Sequence, residues 1–223
     1  MLACRQLKAK GLVADVRKVV NVKDSFTRIQ QERDAERQEE RARRLVESAL
    51  VVRRRNQCKD LHARLSALFS ETDPHRRGTA LEKILNEVFA MDGLLIRESF
   101  VLRRDDGQAA EQIDGVIELD GAQYLVEMKW WATALGVDAA SRHLVRVYGR
   151  GEVRGLFISA SGFALPAIDE CERALTQRVI VLGELRELVV LLERQDNVVT
   201  WLREKVRRAT VDRKPLTRPG LDV

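Results

Sequence analysis

Two acidic residues and a lysine lie on a predicted β-hairpin in residues 113–129, IDGVIELDGAQYLVEMK. The Asp-Gly pair at 120–121 stands between runs of alternating apolar residues, which is a strong signal for a two-residue hairpin turn. With that turn, Asp114 faces Glu127 across the two strands, with Cβ atoms about 4.5–5.5 Å apart. Lys129 follows Glu127 in the same alternation and therefore shares its face of the sheet.

The chemistry of such a pair depends on how its negative charge is balanced. Two carboxylates at this distance repel each other by about 3 kcal/mol at an effective dielectric constant of about 20. A proton, a neighbouring ammonium or a divalent cation could offset this repulsion. Lys129 provides one positive charge for two carboxylates, so a divalent ion that prefers oxygen ligands, Mg²⁺ or Mn²⁺, best balances the remainder.

The apolar residues around the pair separate this hypothesis from an exposed salt-bridge ladder on an edge strand. Strict alternation places Val116 and Leu125 on the carboxylate face, and Ile113, Ile117, Tyr124, Val126 and Met128 on the opposite face. A strand that is apolar on both faces is typical of the middle of a covered sheet. We therefore favour a buried metal site over an exposed ladder.

The N-terminal residues 1–70 predict a charge-rich helical region. They are dense in Arg, Glu and Gln, which are good helix formers, and Leu45, Ala49 and Val52 follow a heptad-like spacing. The apolar seam is interrupted further along. A coiled coil between copies and a solvated helix that packs on its own domain are therefore both open.

The remainder of the chain predicts an α/β domain over residues 75–210. Residues 71–78 read as a linker, and the first helix of the domain is expected to begin at Thr79. The polar stretch 103–112 is expected to be a loop. The order of elements is αβββαβ and then αβαα, and residues 211–223 are expected to form a flexible tail.

Composition excludes several classes of protein. The 223 residues carry a formal net charge of +5, which permits a nucleic-acid partner without demonstrating one. The cysteines, Cys4, Cys58 and Cys171, form no CxxC pair, so we expect free thiols in a reducing cytoplasm. No apolar run approaches the ~18 residues of a membrane helix, and no phosphate-binding GxxxxGK[ST] loop is present.

The hairpin and its flanking segments resemble the PD-(D/E)xK nucleases, in particular the Mrr-like restriction endonuclease group. The resemblance covers residues 78–182 and is carried by QIDGVIELDGAQYLVEMKWW, RGTALEKIL and GLFISASGFALPA. It implies an α/β, restriction-endonuclease-like fold, in which a mixed central sheet with an αβββαβ core is flanked by helices. The long N-terminal helical region precedes this core.

The resemblance also assigns roles to individual residues. It implies that Asp114, Glu127, Lys129 and Glu82 are catalytic residues. Mg²⁺, for which Mn²⁺ would substitute, would be held by Asp114, Glu127 and the backbone carbonyl of Met128. Lys129 would orient or deprotonate the attacking water, or stabilise the charge that develops at phosphorus.

Further residues have both a functional and a purely structural interpretation. Glu82 would complete the metal site, but Thr79-x-x-Glu82 is also a capping box that would explain the acid without catalysis. Arg142 and Arg146, spaced i, i+4, could contact phosphates or form a solvated helix face. Ser161 lies where a strand gives way to a helix, so its backbone could receive a phosphate or form an ordinary loop.

These observations lead to the hypothesis of a Mg²⁺-dependent endonuclease that hydrolyses DNA in restriction or defence against foreign DNA. The expected partners are DNA and a second copy of the chain, paired through the nuclease domain or the N-terminal helix, and no membrane. Two alternatives remain open. The fold could be a non-catalytic module that binds nucleic acid or a partner, or the nuclease could act on RNA or branched DNA.

Overall fold

The computed structural model describes the backbone of residues 2–103 and 107–218, and their side chains except at 2–29, 31, 32, 109 and 110. Its contacts divide the chain into two units, Met1–Arg53 and Arg54–Val223. The helices are α1 Leu2–Ala67, α2 Pro74–Met91, α3 Val137–Tyr148, α4 Leu165–Ala174, α5 Leu185–Arg194 and α6 Val198–Val211. The strands are β1 Leu95–Arg103, β2 Ala109–Leu119, β3 Ala122–Lys129, β4 Arg154–Ser159 and β5 Ile180–Glu184.

The first unit consists of most of α1, so the predicted long N-terminal helix is confirmed. Its sequence supports an exposed helix, because acidic and basic residues recur at i, i+4 spacing, as in the pair Glu40–Arg44. Leu45 and Val52 of the heptad-like stretch are 70% and 56% exposed. The coiled coil stays a prediction.

The second unit contains a five-stranded mixed sheet in the order β1-β2-β3-β4-β5. Strands β1, β2 and β3 pair antiparallel, whereas β4 and β5 run parallel to β3. The predicted fold class, with its αβββαβ order, is confirmed. The hairpin register is also as predicted, with Leu119 opposite Ala122 and Gly115 opposite Val126.

Helices cover both faces of this sheet. The C-terminal part of α1, with α2, α5 and α6, packs on one face, here called the α2 face, and α3 and α4 pack on the other, the α3 face. Ile117 belongs to the α2 face but Ile113 belongs to the α3 face, so the expectation that they share a face is wrong. The break in alternation falls between these two residues, where the ladder between β2 and β3 ends at Gly115.

Helix α2 begins earlier than predicted. The Asp73 side chain accepts hydrogen bonds from the backbone N–H groups of His75 and Arg76, and Pro74 occupies the first helical position. An aspartate N-cap followed by proline is a strong start signal, and it outcompetes the one at Thr79. The expected linker is therefore largely helical, and the interpretation of Thr79 as a cap is wrong.

Two segments expected to be irregular are ordered. The polar stretch 103–112 is not simply a loop, because β2 begins at Ala109 and pairs with β1; residues 104–106 of it lie outside the described residues. Within the expected tail 211–223, the Pro215 carbonyl accepts a 2.9 Å hydrogen bond from the Leu182 backbone N–H. This pairing covers the free edge of β5, and Pro215 is buried there, whereas residues 211–214 are exposed. The last part of the tail lies outside the described residues.

No helix among the described residues is both long enough and apolar enough to cross a membrane.

Candidate active site

The hairpin brings Asp114, Glu127 and Lys129 together at the end of β3. The Lys129 Nζ lies 2.8 Å from Glu127 Oε1 and 3.5 Å from Asp114 Oδ2. Both acidic side chains are buried, whereas Lys129 is partly exposed. One ammonium therefore contacts both carboxylates, and the three groups converge on one place.

Asp114 is held from two directions. Its Oδ2 accepts a 2.9 Å hydrogen bond from the Met128 backbone N–H, and its backbone carbonyl accepts a 3.0 Å hydrogen bond from Asn86 of α2. Gly115 allows α2 to approach this closely, because a Cβ at that position would lie 2.6 Å from the Asn86 side-chain oxygen. Within the described part of the chain, Asp114 Oδ1 accepts no hydrogen bond, so one carboxylate oxygen is available to a ligand.

Glu127 is held by two cations. Its Oε1 contacts Lys129, and its Oε2 accepts a short charge-assisted hydrogen bond from Arg146 of α3. The sequence placed Arg146 on a nucleic-acid-binding surface, whereas in the structure it contacts a residue of the candidate site. Met128 stands between Glu127 and Lys129 in β3, and its N–H is already used by Asp114.

The ion pairs continue beyond Glu127. The Arg146 Nε lies 3.5 Å from Glu111 Oε1, and Arg150 forms two hydrogen bonds to the Glu111 carboxylate, of 2.7 and 3.2 Å. Charges therefore alternate along a chain from Lys129 to Arg150. Sequence reasoning missed Glu111, which lay in the expected loop, and Arg150, although the i, i+4, i+8 spacing of arginines 142, 146 and 150 is visible in the sequence.

Glu82 of α2 is half-buried beside this cluster. Burial, and then the negative charge of Asp114, raises its pKa to about 7, while Lys129 partly opposes the shift. Because Thr79 does not cap α2, the structural explanation for Glu82 falls away. What remains is an acid close enough to the candidate site to interact with its charges.

The pKa shifts describe an excess of negative charge. Burial and the neighbouring Glu127 raise the pKa of Asp114. Burial also favours the neutral form of Glu127, but Lys129 and Arg146 outweigh it and lower the pKa. For Lys129, burial opposes the charge, yet Glu127 and Asp114 raise the pKa above its usual value. The two carboxylates therefore stabilise the Lys129 ammonium, and one more cation would reduce the remaining repulsion between them.

A pH dependence of stability follows from Glu82. A carboxyl whose pKa is higher in the folded than in the unfolded chain costs stability on ionisation, so its effect is absent below about pH 4.5 and grows as pH rises through 7. We expect Glu82→Gln to leave the free energy of unfolding unchanged at pH 4 and to increase it at pH 8 in the absence of metal. Urea unfolding at both pH values measures this. An equal effect at the two would contradict the burial argument.

The residues present suit a hard divalent ion only in part. Restriction endonucleases generally use divalent metal ions. Among the described residues, no group of three or more His, Cys, Asp or Glu could hold a metal by itself. The oxygens of Asp114 and Glu127, with a backbone carbonyl and water, would form an oxygen-rich set of the kind Mg²⁺ prefers. Both oxygens of Glu127 contact a cation, Lys129 or Arg146, which disfavours a further positive ion at that residue.

The remaining predicted residues, Arg142 and Ser161, lie on α3 and in the loop after β4. Arg142 is exposed on α3 and lines an open groove of about 650 Å³ together with Arg146 and Arg150. Ser161 is in the loop after β4; its N–H bonds to Ser159, and α4 begins only after Ala164. The structure therefore does not put the Ser161 amide at a helix N-terminus, which was the reason for expecting a phosphate there.

His143 lies on the buried side of α3 and contributes no positive charge. Burial lowers its pKa to about 4, and its ring packs 5.3 Å from that of Phe157.

The fold and this site define a class of protein. A family model described as restriction endonuclease, the Mrr-type catalytic domain, matches residues 76–192. The chain belongs to this restriction endonuclease family.

Similar solved structures were also found. They include the DNA modification-dependent restriction endonuclease AspBHI (16% identity, TM-score 0.40, 70% of this chain and 40% of that one). The MspJI restriction endonuclease in complex with a 27-mer oligonucleotide gives 21% identity, TM-score 0.39, 67% of this chain and 35% of that one. The protein of unknown function AF1548 gives 16% identity, TM-score 0.37, 47% of this chain and 55% of that one. The chain thus spans between about a third and a little over half of these relatives. No curated protein sequence matches it.

Proposed function

We propose that this protein is a metal-dependent endonuclease that hydrolyses DNA phosphodiester bonds in restriction or defence against foreign DNA. The observation that carries the proposal is the convergence of Asp114 and Glu127 on the Lys129 ammonium. Membership of the restriction endonuclease family supports it. Burying two acids costs stability, and a divalent ion bound by both would offset part of that cost.

Asp114, Glu127 and the Met128 carbonyl would hold Mg²⁺, or Mn²⁺ in its place. When bound, the ion supplies a Lewis acid that activates water and offsets the charge of the phosphate. The hydrogen bond from the Met128 N–H fixes the orientation of Asp114 before any ligand arrives. Such preorganisation reduces the cost of assembling the site.

Lys129 would stabilise the negative charge that develops on the phosphate oxygens. Its raised pKa keeps it protonated at neutral pH, which favours charge stabilisation or orientation of water over removal of a proton. Glu82, whose pKa is about 7, would complete the ligand set or exchange a proton with water. Arg142 and Arg150 would contact backbone phosphates from the groove on α3.

The organisation of the whole chain is part of the proposal. We propose that residues 75–210 act as the nuclease domain, and that a homodimer would form through this domain or through residues 1–70. One site cuts one strand, so a double-strand break would need a homodimer or two events. The described cysteines, Cys58 and Cys171, are free thiols, which agrees with the cytoplasm as the proposed location.

The test is cleavage of supercoiled plasmid by the full chain with Mg²⁺, with Mn²⁺ and with excess chelator. We expect nicked and linear products with either metal and none with chelator. Duplex, single-stranded and branched DNA and RNA, compared at equal concentration, identify the preferred substrate. Salt-dependent DNA binding with no metal-dependent nicking of any substrate would contradict the proposal and favour a non-catalytic module.

A further inference from the structure

Arg146 belongs to two environments at once. Its guanidinium contacts Glu127 inside the candidate site and Glu111 outside it. The same side chain lines the open groove on α3 with Arg142 and Arg150. Arg146 is 27% exposed, so it borders both the buried acid and the surface that would meet a nucleic-acid backbone.

Each oxygen of Glu127 already contacts a cation, so a divalent ion that binds either oxygen meets the repulsion of a nearby positive charge. Lys129 occupies Oε1 and Arg146 occupies Oε2. Lys129 lies on the same strand as Glu127 and also contacts Asp114, so it remains in the site whichever oxygen it faces.

Arg146 differs from Lys129 because its side chain can move away from Glu127. It reaches Glu127 from another element, α3, along a flexible side chain, and the groove beside it is open to solvent. Arg150 holds the Glu111 carboxylate with two hydrogen bonds, so Glu111 stays neutralised if Arg146 turns away. The cation that can leave Glu127 at low cost is therefore Arg146.

We propose that Arg146 couples the binding of a nucleic-acid backbone to the binding of the divalent ion. A phosphate in the groove attracts the Arg146 guanidinium, which releases Glu127 Oε2 as a metal ligand. Without nucleic acid, Arg146 occupies that oxygen and keeps metal affinity low. This inference rests on the proposed function, and it makes Arg146 a positioning residue whose partner changes between the free and the bound protein.

The proposed coupling can be measured because the coupling between two binding sites is reciprocal. If a duplex raises the affinity for the ion by some factor, the ion must raise the affinity for the duplex by the same factor. We expect a factor of about 10, within the usual range for coupled sites. The loss of one charge near a metal site would by itself raise metal affinity, so the coupling factor, and not the affinity alone, is the decisive quantity.

The experiment measures Mn²⁺ binding to the full chain by electron paramagnetic resonance, with and without a short duplex that carries phosphorothioate linkages to resist cleavage. Fluorescence anisotropy of the same duplex, with and without Mn²⁺, gives the reciprocal factor. We expect Arg146→Met to bind Mn²⁺ more tightly than wild type when free and to show a coupling factor near 1. Arg146→Lys keeps the charge and should retain part of the coupling.

Arg142→Met is the matched control, since it removes a groove arginine that does not touch Glu127. It should weaken duplex binding and leave the coupling factor unchanged. If Arg146→Met keeps the wild-type factor, the inference is wrong although the enzyme can still be a nuclease. If the wild type neither binds Mn²⁺ nor cuts DNA, the proposed function itself fails, so the two failures are distinguishable.

Discussion

Asp114→Asn is expected to lower the rate of metal-dependent DNA cleavage by about 1,000-fold. An ion at such a site contributes several kcal/mol to transition-state stabilisation, and about 4 kcal/mol corresponds to this factor. Asp114 is the only one of the two acids with a carboxylate oxygen that no described group contacts. On the proposed function, a metal ion would therefore make its first contact with Asp114.

The substitution isolates charge from shape. Asparagine has nearly the size of aspartate, and its side-chain oxygen can still accept the hydrogen bond from the Met128 N–H. Because burial and Glu127 raise the pKa of Asp114, removal of the negative charge should not reduce stability in the absence of metal. Loss of activity with an unchanged or higher free energy of unfolding therefore separates a ligand from a structural residue.

Initial rates of plasmid nicking at saturating Mg²⁺ measure the effect, and urea unfolding of the metal-free protein checks the fold. Glu118→Gln is the matched control, because Glu118 is an exposed acid on the same strand. It should cut at the wild-type rate. Near-normal nicking by Asp114→Asn would remove this residue from the site and leave the hairpin without a catalytic explanation.

The central hairpin could be predicted because two independent signals fix its register. The Asp-Gly turn sets which residues face each other, and the alternation of side chains along each strand sets which of them share a face. A slip of one residue would have moved every side chain to the opposite face. The structure has the predicted pairing as far as Gly115, which is why Asp114 and Glu127 could be found without coordinates.

For the residues of β2 that precede Gly115, the sequence does not predict a strand. The start of β2 is made of Ala, Glu and Gln, which do not favour strands. It is a strand because it pairs with β1, which is a tertiary effect invisible to local propensity. Glu111 was missed for this reason, and with it the chain of charges that holds Arg146. The spacing of arginines 142, 146 and 150 was visible, but their acidic partners were not.

The start of helix α2 was predicted at the wrong residue because the sequence contains two start signals. Both Asp73-Pro74 and Thr79-x-x-Glu82 are valid starts of a helix by local rules. The helix can use only one of them. The prediction started from the first apolar repeat and therefore selected Thr79, the later of the two. With Asp73 as the cap, Glu82 lies in the interior of α2 and is free to face the candidate site.

Lys205→Met is expected to lower the free energy of unfolding of the second unit by about 3–5 kcal/mol, the usual cost of removing one partner from a buried ion pair. Lys205 is fully buried in α6. Its Nζ lies 3.0 Å from Glu187 Oε2 and donates hydrogen bonds to the carbonyls of Leu182 and Thr217. The ammonium thus joins α6, α5, β5 and the C-terminal segment.

The cost arises mainly from what is left behind. Glu187 is also buried, and its two oxygens accept hydrogen bonds from the Glu184 backbone N–H at 2.9 Å and from Trp201 Nε1 at 2.8 Å. These bonds are too few to compensate a carboxylate that has lost its only contacting cation in the described part of the chain. The carbonyls that Lys205 bonded would lose their donor as well.

Urea unfolding followed by tryptophan fluorescence measures the change, since Trp201 is in contact with the pair. Lys83→Met is the matched control, because Lys83 is an exposed lysine on α2, and surface substitutions of this kind usually change stability by no more than about 0.5 kcal/mol. A Lys205→Met protein within about 1 kcal/mol of wild type would show that Glu187 tolerates burial without its partner.

The double variant Lys205→Met, Glu187→Gln tests the cause. If the uncompensated charge of Glu187 dominates, the neutral amide should restore part of the loss. The single side-chain oxygen of glutamine can still accept one of the two bonds, from the Glu184 N–H or from Trp201. If the lost bonds to the carbonyls of Leu182 and Thr217 dominate, the double variant should be no more stable than Lys205→Met alone. The difference in free energy of unfolding between the two variants therefore separates the effect of the unpaired Glu187 charge from that of the lost bonds to the Leu182 and Thr217 carbonyls.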